Sequence, residues 1–321
     1  MSISTISQTD FQFAGQKNVY HGKVRDVYEF ENLLVMVATD RISAFDVILP
    51  RQIPHKGQVL NQLAAYFLKA TSNEVPNWLI ATPDPNVSIG HLCSPYKIEV
   101  VVRDCLVGHA WREYDGGKRE LCGVKLPDGM KQNDRFKSPI ITPAPKAEAG
   151  HDEDISAEDI IKRGLATGKQ WEEIVEAAKK LFELGQQMAA QRGLYLADTK
   201  YEFGARDGVL HVIDEIHTPD SSRYFYSNSY DNYVSGKTSE VPRHLSKEFV
   251  REWLLEAGFS GQIGQNAPDL SDEFVQDVSR RYVELYEVLT GKQFVPANGD
   301  KDPLDRVKIS IEQALLNRKE K

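Results

Sequence analysis

The order of hydrophobic patterns along this chain excludes a regular α/β fold. Short β-branched runs, VRDVYEF, LLVMVA and FDVIL, crowd the first third, while helical stripes gather in the second half. No strand–helix alternation is present to build parallel βαβ units, so the pattern predicts an α+β fold. With 321 residues the chain is long enough for two globular units. The stretch from Asn73 to Pro95, with four prolines and one glycine, reads as a loop-rich connection between them. The expected units are therefore a β-rich domain over 1–95 and a central antiparallel-sheet domain over 96–321 that ends in helices.

Helices are legible from apolar spacing. In GQVLNQLAAYFLKAT, Val59, Leu60, Leu63, Ala64, Phe67 and Leu68 recur three and four residues apart. The span 169–192 repeats the pattern through Trp171, Ile174, Ala178 and Phe182 until Gly193. Ser156 with Asp159 approximates a capping box, and further helices are expected near Ser246, Ser271 and Asp302, the last with Pro303 just inside. The span from Gly116 to Asp154 is rich in turn residues and shows little periodicity, which marks it as a long functional loop.

Composition removes several function classes. Net charge is −8 with scattered basic residues, which argues against a nucleic-acid partner. Cys93, Cys105 and Cys122 are odd in number and lack a CxxC pair. With no signal peptide, they are expected to be reduced thiols in a cytoplasmic protein. No apolar run approaches the roughly 20 residues of a membrane span. The histidines show no metal-ligand spacing, and no GxSxG elbow is present.

One short segment departs from an ordinary strand. In DTKYEFG, Asp198, Lys200 and Glu202 share one face and Thr199, Tyr201 and Phe203 the other. GARDG then breaks the pattern and GVLHVIDE returns, which reads as a β-hairpin. With Phe203 across from Val209, Asp198 would face Asp214 and Lys200 would face Val212, placing three carboxylates and a lysine on one side. Carboxylates so placed suit Mg²⁺, which takes one or two of them and leaves its other positions to water and phosphates. The bland alternative is a solvated salt-bridge ladder.

Cations recur elsewhere. HGKVRDVYE sets Lys23 and Arg25 on one strand face after Gly22, a hairpin suited to covering phosphates but not a P-loop. Arg103 ends the apolar run IEVVVR and needs an anionic partner, and Arg223 leaves the turn PDSS with a forked donor. TDRISAFD supplies Asp40, Ser43 and Asp46, and TPAPKAE supplies Lys146.

In this order, GKVRDVYE, ATDRISAFD, IPHKGQVLNQL, VVVRDCLVGHAWREY, TPAPKAEAGHDE, LADTKYEFG and IDEIHTPDSSRYF closely resemble SAICAR synthetase, the phosphoribosylaminoimidazole-succinocarboxamide synthase family of purine biosynthesis. The resemblance covers about residues 15–295, and the length and HDE insertion resemble the longer branch of that family. It implies an ATP-dependent carbon–nitrogen ligase acting on carboxyaminoimidazole ribonucleotide and L-aspartate. The expected products are the succinocarboxamide, ADP and phosphate, formed through an acyl phosphate.

The resemblance also implies site residues. Gly22, Lys23, Arg25 and Lys146 are expected at ATP, with Glu202 and Asp214 holding Mg²⁺ and the strand around Pro95–Glu99 lining the adenine pocket. Asp46, Arg103, His109, Ser222 and Arg223 are expected at the ribonucleotide. Asp198 and Lys200, with Lys146, are expected to carry catalysis near the reacting carboxylate. Gly108-His109 departs from the glycine-serine that many members have. A monomer or small homo-oligomer is expected. The competing readings are a small-molecule kinase, which needs the same phosphate cations and metal carboxylates, and a nucleotide-sensing protein without turnover.

Overall fold

The computed structural model describes residues 4–146, 153–262, 264–297 and 302–319. His151 and Asp152 of the HDE insertion lie outside the described residues. The chain begins with β1 (Asn18–His21), β2 (Arg25–Glu29) and β3 (Leu33–Ala38). FDVIL yields only the short pair β4 (Ser43–Ala44) and β5 (Val47–Ile48). Between them Phe45 and Asp46 have φ of 50° and 62°, a left-handed conformation that breaks an extended run. The first helical stripe becomes α1 (Lys56–Thr71).

Residues 73–95 are not merely a connection. They contain β6 (Leu79–Asp84) and β7 (Val87–His91), which complete a five-stranded sheet of order β1-β2-β3-β7-β6. Pro83 is tolerated because β6 is an edge strand, where a missing N–H can face away from the ladder.

The next elements are β8 (Ser94–Cys105), α2 (Gly108–Asp115), the small pair β9 (Glu120–Leu121) and β10 (Val124–Lys125), and β11 (Arg135–Pro145). The expected loop from 116 to 154 thus holds an eleven-residue strand. β11 is again an edge strand, which accommodates Pro139, Pro143 and Pro145. Two capped helices follow. Ser156 accepts from the Asp159 N–H at the start of α3 (Ala157–Lys162), and Thr167 with Gln170 forms a full capping box on α4 (Gly168–Ala190).

β12 (Leu194–Arg206) is the long central strand, followed by β13 (Val209–Ile213), β14 (Ser222–Tyr226), α5 (Ser227–Val234) and β15 (His244–Leu245). The sheet order is β11-β8-β12-β14-β15, with β13 beside the second half of β12 where β14 leaves off. The chain ends in α6 (Glu248–Glu256), α7 (Asp272–Thr290), capped by Ser271, and α8 (Pro303–Lys319).

Two compact units result. The first takes its described residues from Met1–Lys69, Trp78–Leu92 and Phe249–Lys321, the second from Ala70–Asn77 and Cys93–Glu248. Grouping 96–321 as one domain therefore needs correction, because the C-terminal helices belong with the N-terminal sheet. Val307 and Ile311 of α8 share a buried cluster with Tyr28, Val35 and Ile89, and that shared apolar burial joins the ends of the chain. All three cysteines are free, as expected.

Candidate functional site

In the second unit β12 divides its alternating residues between two environments. Tyr201 and Phe203 are fully buried on one face, where the Tyr201 hydroxyl lies 2.6 Å from His217 Nε2. The opposite face carries Asp198, Lys200 and Glu202. Their neighbours across the ladder on β8 are Arg103, Val101 and Glu99 respectively.

The hairpin register differs from the expected one. Phe203 pairs with Val212 and Glu202 with Ile213, so Asp198 faces Arg103 and Arg223 rather than Asp214. The cause is the turn. Asp207 and Gly208 have φ of 51° and 78°, the backbone of a two-residue type I′ hairpin, and Arg206 pairs directly with Val209. GARDG is therefore mostly strand, and the partners shift along β12.

Glu202 directly faces Glu99, an arrangement that destabilises a sheet unless a cation intervenes. Lys200 is that cation: its Nζ donates to Glu99 Oε1 at 2.8 Å and Glu202 Oε1 at 2.7 Å. Lys146 Nζ donates to Glu202 Oε2 at 2.6 Å. Burial pushes the Glu202 carboxyl up, but the charges of Lys200 and Lys146 prevail and hold it down at about 2. Burial likewise opposes the charge on Lys200, yet Glu202, Glu99 and Asp214 raise it well above the ordinary lysine value. Lys146 is raised too, against burial, by Glu202 and Asp214. Asp214 follows β13 with φ of 60° and acts electrostatically on both lysines.

Beside this row is a guanidinium clamp. Asp198 Oδ2 accepts from Arg103 Nη1 at 2.8 Å and Arg223 Nη1 at 2.9 Å. Arg103 Nε also donates to Thr142, and Arg223 Nη2 pairs with Glu248 at 3.0 Å. Arg112 donates to the other Glu248 oxygen at 3.1 Å. Three guanidiniums thus share two carboxylates. Burial lowers Arg103 despite Asp198, whereas Asp198 and Glu248 raise Arg223 against burial.

Gly108 makes room for this clamp. Its φ is 55°, and a Cβ there would lie 2.6 Å from Arg223 Nη2. Ser222 Oγ lies 2.7 Å from Thr199 Oγ1. His109 Nε2 lies 3.0 Å from Asp154 Oδ1, a carboxylate that also accepts from the Cys122 thiol at 3.7 Å. Burial raises Asp154, but the hydrogen bond and charge of His109 outweigh it and leave it below the ordinary value.

The first unit holds the remaining candidates. β1 and β2 are joined by a turn in which the Gly22 N–H donates to the Arg25 carbonyl at 2.7 Å. Lys23 lies in the turn itself and Arg25 begins β2, so the two do not share a strand face as expected. Lys23 donates to Asp46. Asp40 is structural: its carboxylate accepts the N–H groups of Ile6 and Gly57 at 2.8 and 2.9 Å.

Glu99 and Glu248 are the members of the charged groups least visible in sequence. Glu99 was within reach, because it lies four residues before Arg103 in one strand and so shares its face. Glu248 sits in the first turn of α6 and looks like an ordinary helix-start acid.

A metal can be tested against these donors. Among the described residues no three His, Cys, Asp or Glu side chains form a cage. Mg²⁺ needs none, and Glu202 and Asp214 supply hard oxygens of the right kind. Each Glu202 oxygen accepts from one lysine, which leaves lone pairs for a cation. The residues fit the ion.

Together the fold and this face define a class of α+β protein whose central antiparallel sheet carries interleaved lysines, arginines and carboxylates. The family model described as SAICAR synthetase matches residues 18–266. The phosphoribosylaminoimidazole-succinocarboxamide synthase of Bacteroides thetaiotaomicron is 54% identical over 317 residues, 98% of this chain and 99% of that protein. Its counterpart in Flavobacterium psychrophilum is 52% identical over 98% of this chain and its full length. The SAICAR synthase of Saccharomyces cerevisiae, solved in complex with SAICAR, superposes with a TM-score of 0.77 at 32% identity, covering 91% of this chain and all of that one. The chain belongs to the SAICAR synthetase family, the ATP-dependent ligases of purine biosynthesis. A simple kinase is not favoured.

Proposed function

We propose that this chain joins L-aspartate to the carboxylate of carboxyaminoimidazole ribonucleotide, using ATP, and that the charged face of β12 carries the chemistry. The observation that supports this reading most is Lys200, held between Glu99 and Glu202 and two residues from the clamped Asp198.

A carboxylate is a poor electrophile and requires activation. One of its oxygens attacks the γ-phosphorus, the bond to ADP breaks, and an acyl phosphate forms. The aspartate amine then attacks the acyl carbon, the carbon–oxygen bond to phosphate breaks, and the amine proton is released. Lys200 and Asp198 are assigned to the reacting carboxylate, where the ammonium offsets charge that accumulates in the transition state. Lys146 is assigned to ATP and to the transferring phosphoryl group.

Glu202 and Asp214 would hold Mg²⁺, which when bound neutralises and orients phosphate oxygens. In the first unit, Gly22, Lys23 and Arg25 are assigned to ATP phosphates and Asp46 to the ribonucleotide. In the second, Arg103, His109, Ser222 and Arg223 are assigned to the ribonucleotide. The forked donors of Arg103 and Arg223, held by Asp198 and Glu248, suit an anionic substrate. No helix among the described residues is long and apolar enough to cross a membrane. We place the enzyme in the cytoplasm, as a monomer or small homo-oligomer.

Titration of Mn²⁺ by electron paramagnetic resonance, with and without ATP, tests the metal assignment. Glu202→Ala and Asp214→Ala should each weaken the ternary complex and abolish turnover while the fold is retained. Wild-type binding and rates in both variants would refute it.

A further inference from the structure

The turn from Gly22 to Arg25 is held from beneath in a way its sequence does not reveal. Arg41, just after β3, is 8% exposed, and its guanidinium reaches three backbone carbonyls and one carboxylate. Nη2 donates to the Gly22 carbonyl at 2.8 Å, Nε donates to the Lys23 carbonyl at 3.2 Å, and Nη1 donates to the Ser7 carbonyl. Nη2 also lies 2.8 Å from Asp26 Oδ1. Thr39 holds the next carbonyl: its N–H and Oγ1 donate to Val24 at 3.0 and 2.9 Å. The fourth, on Arg25, accepts from Gly22. Every carbonyl of the turn thus has a donor within the protein.

That pairing matters for an anion. A carbonyl oxygen is the negative end of the peptide dipole, and one pointing outward would repel a phosphate. Arg41 also ties the turn to the N-terminal segment. Ser7 meets its guanidinium, Thr9 donates through N–H and Oγ1 to Asp26 at 2.7 and 2.9 Å, and the Phe11 N–H donates to Tyr28 at 3.1 Å. Asp26, fully buried, joins the two systems. The segment before residue 18 lies outside the span matched by the family model.

We infer that Arg41 is a positioning residue for nucleotide binding, holding the Gly22–Arg25 turn with its carbonyls away from the phosphates and bracing it against the segment Ser7–Phe11. The inference rests on the assignment of this turn to ATP phosphates. A lysine cannot replace Arg41, because a single ammonium lacks the planar fork that serves Gly22, Lys23 and Asp26 together. Thr39→Val removes the hydroxyl donor to Val24 and the acceptor of a 3.4 Å contact from the Arg41 N–H, leaves the Thr39 N–H bond to Val24 in place, and keeps the shape of the side chain.

Steady-state kinetics of Arg41→Lys, Thr39→Val and Lys23→Ala separate the possibilities, with circular dichroism to confirm folding. Arg41→Lys should raise the KM for ATP by about 10-fold or more, as expected for displaced binding groups, while kcat and the KM for aspartate stay within about twofold. Thr39→Val should show a smaller rise, and amide exchange at 22–25 should quicken in Arg41→Lys. An unchanged KM for ATP in Arg41→Lys, with a raised one in Lys23→Ala, would overturn the positioning role alone. An unchanged KM for ATP in Lys23→Ala would overturn the phosphate assignment, and the positioning role with it.

Discussion

Lys200 donates to Glu202 across 2.7 Å, two residues further along the same strand, and with its other contact to Glu99 separates two carboxylates that face each other across the sheet. The lysine is what makes this face of β12 tolerable. It is also the group proposed to meet the substrate carboxylate.

Replacing Lys200 by Met should therefore cost stability and activity together. Removing a charged hydrogen-bond partner from largely buried carboxylates typically costs about 1–3 kcal/mol, because the remaining acceptors lose their compensation. Urea denaturation should show that loss, and turnover should fall by at least about 100-fold, as for loss of a group stabilising transition-state charge.

Gly108→Ala tests the guanidinium clamp without touching a charge. The added Cβ would lie 2.6 Å from Arg223 Nη2, at a φ that side chains rarely adopt. The KM for the ribonucleotide should rise by about 10-fold or more, as binding groups are displaced, with the KM for ATP unchanged. Equal KM values for wild type and variant would show that Arg223 does not bind this substrate.

Gly185→Ala probes the other side of β12. A Cβ there would lie 2.5 Å from the His217 ring, a buried group with little room to shift. Stability should fall by about 1–3 kcal/mol, the usual cost of overpacking. At a temperature where the variant is folded, kcat should match wild type.

Acid should destabilise the protein in two windows. Burial lowers His217 from 6.5 to about 3, so between these values the unfolded chain binds a proton that the folded one excludes. Stability supplied by neutral His217 is complete above about pH 6.5 and is lost as pH falls toward 3. Glu202, lowered from 4.5 to about 2, adds a second loss between those values. Urea midpoints measured from pH 7 to pH 3 should decline throughout, and Glu202→Gln should flatten only the part below about pH 4.5.

Much of this architecture is written in local pattern. Apolar spacing marks α1 and α4, Ser156 caps a helix as its spacing from Asp159 suggests, and α7 starts at the Ser271 the sequence marks. Prolines mask β6 and β11 in the sequence, because an edge strand tolerates what a central strand does not. The Asp207-Gly208 pair is a two-residue hairpin signal, and it sets a register shifted from the one a longer GARDG loop predicts. Lys200, Glu202, Asp198, Arg103 and Arg223 could be nominated from strand periodicity and family motifs. Their pairing could not, since β8, β12 and β14 meet only through long-range contacts. Arg41 and Glu248 gave no local signal: each acts through partners distant in sequence.

Phosphate transfer and amide formation should be coupled on one substrate carboxylate. ADP release measured with the purified enzyme, Mg²⁺ and ATP, adding carboxyaminoimidazole ribonucleotide and L-aspartate singly and together, tests this most directly. Sustained release should require both, with one succinocarboxamide formed per ADP. Full ADP release with the ribonucleotide alone, accompanied by a stable phosphorylated product, would contradict it.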